Sequence, residues 1–256
     1  MKHWIFLILR TAILTYIGLG LVLFFLQRKY IYFPANQDFY DCAGFEDAEK
    51  INWQGTRMYV KQNTNRWVVI YHGNAGSACD RAYLKLEFEK LGYSYIFVEY
   101  AGYSNDNLKP SQERLVKNVE AAVDYLKQFN PSSVVVLGES LGSALASYHA
   151  SVSKVEKVLL IGAFNNLSDV AAHHYKVYPV KLVLRDKFSA EEWLKETNNV
   201  LFIHGTNDDI IPIQFGQRLY QAIKADQKQF VEIEGAGHND IYEYPLTYET
   251  IQNYLK

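Results

Sequence analysis

The stretch that decides the fold is VVVLGESLGSALASYHA, Val134–Ala150, in which an apolar, β-branched run passes directly into a run of small residues. Gly138 and Gly142 flank a single serine, Ser140, at a spacing of two. This is the pattern G-x-S-x-G, placed between a predicted strand and a predicted helix. So tight a turn strains the serine backbone and points its hydroxyl outward, and the glycines remove side chains that would collide with the helix and the neighbouring strand. The pattern therefore predicts that Ser140 is a nucleophile.

Short apolar runs like this one recur along the chain, and each ends in a turn that contains glycine. Continuous apolar runs of this length suit strands that are buried on both faces of a parallel sheet. Between two of them, Ser111–Phe129 carries apolar residues at helical spacing. The sequence therefore predicts an α/β fold with a doubly wound, mostly parallel sheet, entered through short antiparallel strands, with its chemistry at the carboxyl ends of the strands. The other runs are WVVIYHGNAGS (67–77), YSYIFVEYAGYS (93–104), KVLLIGAFNN (157–166), NVLFIHGTNDD (199–209) and QFVEIEGAGHND (229–240).

A serine hydroxyl is a weak nucleophile unless a base accepts its proton, and that base needs an acid to fix its tautomer. The chain has 7 histidines. His238 follows the last predicted strand and precedes a closing helix, whereas His72 and His204 precede glycines at the ends of earlier strands, where a ring more often packs or caps a turn. We therefore predict that His238 is the base for Ser140.

The acid and the oxyanion donors are predicted from the turns after two other strands. FIHGTNDDIIP offers Asp208 just beyond the strand end, where a carboxylate can turn inward, and Asp209 as the alternative acid or as a cap of the next helix. A developing oxyanion needs preorganised N–H donors. The predicted pair is the backbone amide of Leu141, at the start of the helix, and that of Asn74, in the loop after VVIYHG.

Composition and spacing exclude several other classes of protein. The chain has 26 basic and 28 acidic residues, a net charge of -2, and so lacks the basic balance of a nucleic-acid-binding protein. HGNAGS at 72–77 is rich in glycine but lacks the lysine and the spacing of nucleotide-binding loops. The adjacent pair His173 and His174 is poor metal geometry. We expect no nucleic-acid partner, no nucleotide-binding loop and no metal site at this histidine pair.

The N-terminal segment predicts a membrane anchor. Trp4–Leu26 is apolar with Arg10 as its one charge, and as a helix it would span about 35 Å, enough for a bilayer core of about 30 Å. A cleaved signal peptide is the alternative, but the apolar run is longer than usual and no small residues of cleavage type follow it. We predict an uncleaved, single-pass anchor over residues 1–29 and one catalytic domain over residues 30–256, on the non-cytoplasmic side of the membrane.

The two cysteines, Cys42 and Cys79, are too few for a disulfide scaffold and lack the paired spacing of a zinc site. Two structural thiols are expected rather than one bridge. They therefore give no indication of a compartment.

With these residues in hand, the chain resembles the α/β-hydrolase superfamily over about Tyr30–Lys256, and within it the membrane-anchored serine hydrolases of the bud-emergence type. The resemblance implies hydrolysis of ester or thioester bonds without a cofactor, with Ser140, Asp208 and His238 as the triad. It also implies a cap over the pocket, and the segment 164–199 is long enough for a small one with one or two short helices. Six patches carry the resemblance: YIYFP (30–34), HGNAGS (72–77), GESLG (138–142), KLVLRDKF (181–188), HGTNDDIIP (204–212) and GAGHND (235–240).

Two positions depart from the family's pattern. Where the family usually reads YRGYGxSxG, this chain has YAGYSNDNL at 100–108, without an arginine and two glycines. Because that loop is expected near the rim of the site, the shape and polarity of the pocket are expected to differ from those of relatives. Ser143 stands where a second glycine usually follows the nucleophile elbow, the tight turn Gly138–Gly142 that carries Ser140, and we expect this small change to be tolerated.

The sequence thus predicts a membrane-tethered serine hydrolase that cleaves carboxylic esters or thioesters through an acyl-enzyme intermediate. A small-molecule or lipid-like acyl compound is the expected substrate, because the anchor keeps the pocket near lipid. The same machinery can cut amides, so a serine peptidase is left open as an alternative. A second alternative is a catalytically idle, membrane-bound interaction module that kept the fold.

Overall fold

The computed structural model describes residues 1–195 and 197–256. The strands are β1 (Phe33–Pro34), β2 (Glu49–Trp53), β3 (Thr56–Lys61), β4 (Arg66–Tyr71), β5 (Ala75–Gly76), β6 (Ser94–Glu99), β7 (Ser133–Glu139), β8 (Lys157–Ile161), β9 (Asn199–Gly205) and β10 (Gln227–Ile233). The helices are α1 (Lys2–Ile31), α2 (Lys85–Lys90), α3 (Gln112–Leu126), α4 (Leu141–Val152), α5 (Leu167–His174), α6 (Val180–Val183), α7 (Ala190–Trp193), α8 (Ile213–Ala222) and α9 (Pro245–Leu255).

Within the described residues, the strands form an eight-stranded sheet in the order β10-β9-β8-β7-β4-β6-β3-β2, and β1 pairs with β5 beside it. The strands of the large sheet are parallel except β3, which is antiparallel to both β2 and β6. The six apolar runs of the sequence form β4 and β6 to β10. The prediction of a mostly parallel sheet that is entered through antiparallel strands is therefore confirmed.

The sheet is covered on both faces, and alternate residues of β4 show this directly. Trp67, Val69 and Tyr71 belong to the core that includes residues of α3 and α4. Val68 and Ile70 belong to a second core, which includes residues of α2 and α9. Side chains alternate between the faces of a strand, so a strand that is apolar throughout needs both layers of helices.

The length and apolar composition of helix α1 would allow it to cross a membrane. A signal sequence near the N-terminus would have the same two properties. Helix α1 ends at Ile31, beyond the predicted anchor boundary at residue 29. Its C-terminal half lies against the rest of the chain. The ring of Tyr16 stacks on that of Tyr178 with centroids 4.8 Å apart, and the Tyr16 hydroxyl donates to the carbonyl of Val177 at 2.7 Å.

An ion pair between a half-exposed arginine and a buried aspartate fixes the end of α1. Arg28 donates from Nε and Nη2 to the two carboxylate oxygens of Asp186, at 2.9 and 3.1 Å. The hydroxyl of Tyr32 donates to the same carboxylate at 2.9 Å. The Asp186 side chain is 4% exposed, and a bidentate, charge-assisted pair of this kind fixes geometry as well as energy.

The segment 164–199, predicted as a small cap, holds α5, α6 and α7 and is closed by an antiparallel bridge between Asn166 and Ser189. It has one short helix more than expected. α5 ends at His174, and after a turn Pro179 is the N-cap residue of the short helix α6. The second helix predicted for this segment is SAEEWLKE (189–196), and its last residue, Glu196, lies outside the described residues.

The expectation of two free thiols is wrong. Cys42 and Cys79 form a disulfide with their Cα atoms 5.9 Å apart. Two short 3-10 turns, Ala43–Phe45 and Cys79–Leu84, pack against each other, with Cys42 just before the first and Cys79 at the start of the second, and this packing brings the two sulfurs together. Their sequence separation of 37 residues carries no signal of this pairing.

The buried side chain of His149, on α4, is expected to make the free energy of unfolding depend on pH. Its buried ring lies 2.7 Å from the hydroxyl of Tyr71, and burial lowers its pKa to about 3. Between about pH 6.5 and pH 3 the unfolded chain therefore binds a proton that the folded protein excludes, and folding stability falls by about 1.4 kcal/mol per pH unit as the pH is lowered.

We expect His149→Gln to remove that contribution. From pH 6.5 to pH 5 the wild type should lose about 2 kcal/mol more unfolding free energy than the variant does. Denaturant titrations in detergent micelles at both pH values measure the difference. Equal losses in the two proteins would contradict the assignment of this pH dependence to His149.

Candidate active site

Ser140 lies in the tight turn between β7 and α4, just beyond the end of the strand. Its backbone has φ +52° and ψ -118°, a region that costs a residue with a side chain about 1–3 kcal/mol. The chain passes too close to its neighbours for side chains on either flank. A Cβ on Gly138 would lie 2.2 Å from the carbonyl oxygen of Gly142, and one on Gly142 would lie 2.1 Å from that of Tyr71. The two glycines are thus a steric requirement of this turn.

The structure brings the three predicted triad residues into one hydrogen-bonded chain. Nε2 of His238 lies 2.9 Å from Oγ of Ser140, and Nδ1 of the same ring lies 2.7 Å from Oδ2 of Asp208. The residues come from the carboxyl ends of β7, β9 and β10, which meet at one edge of the parallel sheet. The side chains of His238 and Asp208 are 10% and 1% exposed, so little water competes for these hydrogen bonds.

The carboxylate of Asp208 is held ionised by its surroundings. Burial by itself would raise the pKa of Asp208, but hydrogen bonds from His204 and His238 outweigh burial and lower the pKa to about 2. Its other oxygen accepts the backbone N–H groups of Ile210 and Ile211 at 3.1 and 2.7 Å. An ionised Asp208 holds a proton on Nδ1 of His238 and leaves the lone pair of Nε2 facing the serine.

Asp209, the alternative acid, is exposed and lies on the wall of the cavity beside Ser140. His204 is buried beside Asp208: its Nε2 is 3.4 Å from Oδ2 of Asp208 and 2.8 Å from the carbonyl oxygen of Ile211. The sequence suggested a packing role for His204. Its position at the end of a strand, directly before GTNDD, was the sequence signal that could have placed a second imidazole ring beside the Asp208 carboxylate.

The two predicted oxyanion residues, Asn74 and Leu141, line the same cavity as Ser140. Leu141 is the first residue of α4, where backbone N–H groups have no partner within the helix. Within residues 1–195 and 197–256, neither backbone amide donates to another protein group. The side chain of Asn74 is engaged elsewhere, since its Nδ2 donates to the carbonyl of Ile31 at 2.6 Å.

Two tyrosines of the unusual loop 100–108 position the loop that carries Asn74. The hydroxyl of Tyr100 donates to the carbonyl of His72 at 2.7 Å, and that of Tyr103 donates to the carbonyl of Asn74 at 2.7 Å. Arg57, from β3, donates to the carbonyl of Ser104 at 2.9 Å and so supplies an arginine to the loop from another strand. The sequence shows that this loop departs from the family's pattern, but it gives no sign of these contacts, because they join residues far apart in the chain.

Glu139, the residue before the serine, is tied to the loop after Cys79. Arg81 donates from Nε and Nη2 to its carboxylate at 3.0 and 2.6 Å. Burial opposes the charge of Arg81, but the adjacent carboxylate of Glu139 raises the pKa of Arg81 above its ordinary value. Ser143 is buried, and its hydroxyl donates to the carbonyl of Ser140 at 2.6 Å, which shows how the fold accommodates it in place of glycine.

The site opens into a cavity of about 800 Å³. Ser140 and Leu141 form one end of its lining, and α1 and the cap form most of the rest. Apart from tyrosines, the lining residues with ionisable side chains are Asp209 and His174. The His174 ring lies 3.0 Å from the carbonyl oxygen of Ile210 through Nε2. Within the described residues, no group of three His, Cys, Asp or Glu side chains is arranged to hold a metal ion.

Several solved structures have the same architecture as this chain. An esterase of Pyrococcus furiosus has a TM-score of 0.67 at 15% identity over 88% of this chain and 97% of its own. An esterase of Exiguobacterium antarcticum has a TM-score of 0.62 at 20% identity over 81% and 99%. The metagenome-derived lipolytic enzymes LipS and LipT give a TM-score of 0.63 at 18% identity over 77% and 96%.

Similar sequences occur in distant organisms. An uncharacterized protein of Mycobacterium tuberculosis is 29% identical over 90% of this chain and 87% of its own length. A protein of Acanthamoeba polyphaga mimivirus that is provisionally named an alpha/beta hydrolase is 28% identical over 70% and 68%. No protein-family model matches the chain, and the likeness to the bud-emergence type stays a prediction. The sheet order, the position of the elbow and these likenesses together show that the chain has the α/β-hydrolase fold.

Proposed function

We propose that the protein is a serine hydrolase that cleaves carboxylic ester or thioester bonds through an acyl-enzyme intermediate. One observation carries the proposal: a continuous chain of hydrogen bonds from Ser140 through His238 to Asp208, at the end of a mostly apolar cavity. Nucleophile, base and orienting acid need this mutual geometry.

The reaction follows from the positions of the atoms. Oγ of Ser140 bonds to the acyl carbon while its proton passes to Nε2 of His238, and the carbonyl oxygen takes the electron pair. The amides of Leu141 and Asn74 stabilise that oxyanion. The bond from the acyl carbon to the leaving oxygen or sulfur then breaks, and His238 returns the proton to the leaving group. A water molecule repeats both steps on the acyl-enzyme and releases the acid.

The lining of the cavity favours acyl compounds over peptides. It is built mostly from aliphatic and aromatic side chains, with Asp209 as its carboxylate. Aliphatic and aromatic walls bind the hydrocarbon part of a substrate, whereas a peptide backbone needs polar groups placed along its length. The esterase and lipolytic names of the structural relatives point the same way. The idle-module alternative is disfavoured because no member of the triad is missing or displaced.

A fluorophosphonate probe should label the wild type and should not label Ser140→Ala. Ser151→Ala is the matched control, since Ser151 is exposed at the far end of the same helix α4, and it should be labelled like the wild type. In-gel fluorescence measures all three proteins. Labelling of Ser140→Ala would show that another group is the nucleophile.

Asp208→Asn should lower kcat on a nitrophenyl ester about 10³–10⁴-fold, because an amide no longer selects the productive tautomer of His238. Asp209→Asn should cost far less, which separates the two predicted acids. Since the pKa of Asp208 is about 2, its protonation should not shape the rate profile of the wild type above about pH 4. A larger loss for Asp209→Asn than for Asp208→Asn would reverse the assignment.

We also propose that residues 1–29 anchor the protein in a membrane and that residues 30–256 form the hydrolase domain, with a cap at 164–199. We place the hydrolase domain on the non-cytoplasmic side as part of the same proposal. The disulfide between Cys42 and Cys79 supports that side, because disulfides persist in oxidising compartments and are rare in the cytosol.

In intact cells, the protein should therefore resist a thiol-reactive polyethylene-glycol maleimide until a reductant is added, and then gain the mass of two adducts on a gel. The Cys42→Ser, Cys79→Ser double variant should gain none under either condition. Two adducts on the natural protein in cells that are lysed directly into maleimide without reductant would show free thiols and would argue for a cytosolic domain.

A further inference from the structure

The helix α1 forms one wall of the cavity that contains Ser140. Its lining residues recur every three or four positions and thus share one face of the helix. From Tyr16 to Ile31 that face is about 22 Å long at 1.5 Å per residue. Ile31 marks the end near the triad, because its carbonyl accepts the side chain of Asn74. The lining residues of α1 are Tyr16, Ile17, Gly20, Leu21, Leu23, Phe24, Gln27, Tyr30 and Ile31.

The opposite wall is the cap, and its contacts hold α1 in place. At the far end Tyr16 stacks on Tyr178. In the middle the backbone N–H of Arg185 donates to Oε1 of Gln27 at 2.7 Å, and its guanidinium lies 4.4 Å from the ring centroid of Phe24. The cavity therefore lies along the seam between α1 and the cap.

The length of α1 decides where this seam lies relative to a membrane. The segment of α1 before Tyr16, from Lys2 to Thr15, is about 21 Å long, which is less than a bilayer core of about 30 Å. If α1 spans the bilayer, the remaining 9 Å or so must come from the residues that follow Tyr16, which contact the cap. The cap next to Tyr178 must then lie at the depth of the hydrocarbon.

The surface of the cap fits that position. Val177 and Leu182 are 72% and 82% exposed, which is costly in water and favourable in lipid. Four exposed basic residues lie within five positions of Val177 or Leu182 in the chain: Lys176, Lys181, Arg185 and Lys187. Apolar side chains flanked by lysine and arginine are typical of surfaces that enter the headgroup region of a membrane.

We infer that the tip of the cap enters the bilayer and that the cavity receives the acyl chain of a membrane lipid ester laterally, along the seam with α1. This inference rests on the proposed hydrolase function and names its substrate class. The ester carbonyl lies at Ser140 and the chain runs along α1 toward Tyr16. Half-exposed residues on both sides of the seam, such as Tyr16 and Tyr175, leave the cavity accessible from lipid.

Two glycines of α1 provide a matched pair for a test. A Cβ on Gly20 would lie 3.1 Å from Cε1 of Tyr178, and Gly20 lines the cavity, whereas a Cβ on Gly18 would meet nothing within 4 Å. Gly20→Leu therefore shortens the cavity at its far end, while Gly18→Leu adds the same apolar side chain to the lipid-facing surface. Both changes raise the hydropathy of α1 equally.

The full-length protein is reconstituted in vesicles of phosphatidylcholine with one quarter phosphatidylglycerol. The measured quantity is the ratio of kcat/KM for nitrophenyl palmitate, dissolved in the bilayer, to kcat/KM for nitrophenyl butyrate, dissolved in water. Gly20→Leu should lower this ratio at least tenfold, since each methylene that loses its place in the cavity costs about fourfold in binding. Gly18→Leu should stay within twofold of the wild type.

A second pair of matched variants tests the tip of the cap. Leu182→Glu places a charge in the apolar tip and should lower the same ratio at least tenfold. Leu86→Glu adds the same charge to an exposed leucine of α2, on the other face of the sheet, and should stay within twofold. Ratios that are unchanged in Gly20→Leu and Leu182→Glu, or that fall equally in the matched controls, would overturn the inference.

A readout without turnover separates this inference from the proposed function. Ser140→Ala protein in the same vesicles is irradiated with a photoreactive palmitic acid that carries a diazirine near its methyl end. Label should appear in peptides from residues 16–24 of α1 and 175–183 of the cap. Absence of that label would overturn the inference, whereas label together with no turnover of either ester by the wild type would reject the hydrolase proposal alone.

Discussion

The packing of the elbow against β4 is the constraint on which the site depends. Because no side chain fits between Gly142 and the carbonyl of Tyr71, the helix α4 begins close against the sheet and Ser140 is lifted above its edge. The same edge brings the loops after β9 and β10 together. Gly162, at the end of β8, continues this pattern, since a Cβ there would lie 3.2 Å from the ring of His238. The triad therefore depends on backbone spacing as much as on its own hydrogen bonds.

The carboxylate of the triad and two carboxylates outside it have different hydrogen-bond partners. Glu139 and Asp186 each face an arginine, Arg81 and Arg28, in a bidentate pair. Asp208 is surrounded by two imidazoles and two backbone N–H groups instead. A full cation beside Asp208 would compete with His238 for its charge. The arginine pairs thus fix the surrounding structure, and Asp208, which has no permanent cation beside it among the described residues, can respond to the charge of His238.

Local patterns predicted much of this protein, and contacts between distant residues account for what they missed. The runs that became β4 and β6 to β10, and the turns that hold Ser140, Asp208 and His238, are each readable within a dozen residues. The stacking of Tyr16 on Tyr178 joins positions more than 150 residues apart, and α1 reads as a uniformly apolar helix with no face marked for packing. The disulfide and the tyrosines that hold the Asn74 loop were missed for the same reason.

The docked position of α1 has a consequence for work with shortened forms of the protein. A version expressed without its first thirty residues would gain solubility but would lose one side of the cavity beside Ser140 and Arg28, the arginine partner of Asp186. Its groove would face water, and under the proposed function its preference among esters would be that of an open cleft. For the hydrolase proposed above, substrate screens on such a version would report the chemistry of Ser140, His238 and Asp208 but would misrank the molecules that the full chain prefers.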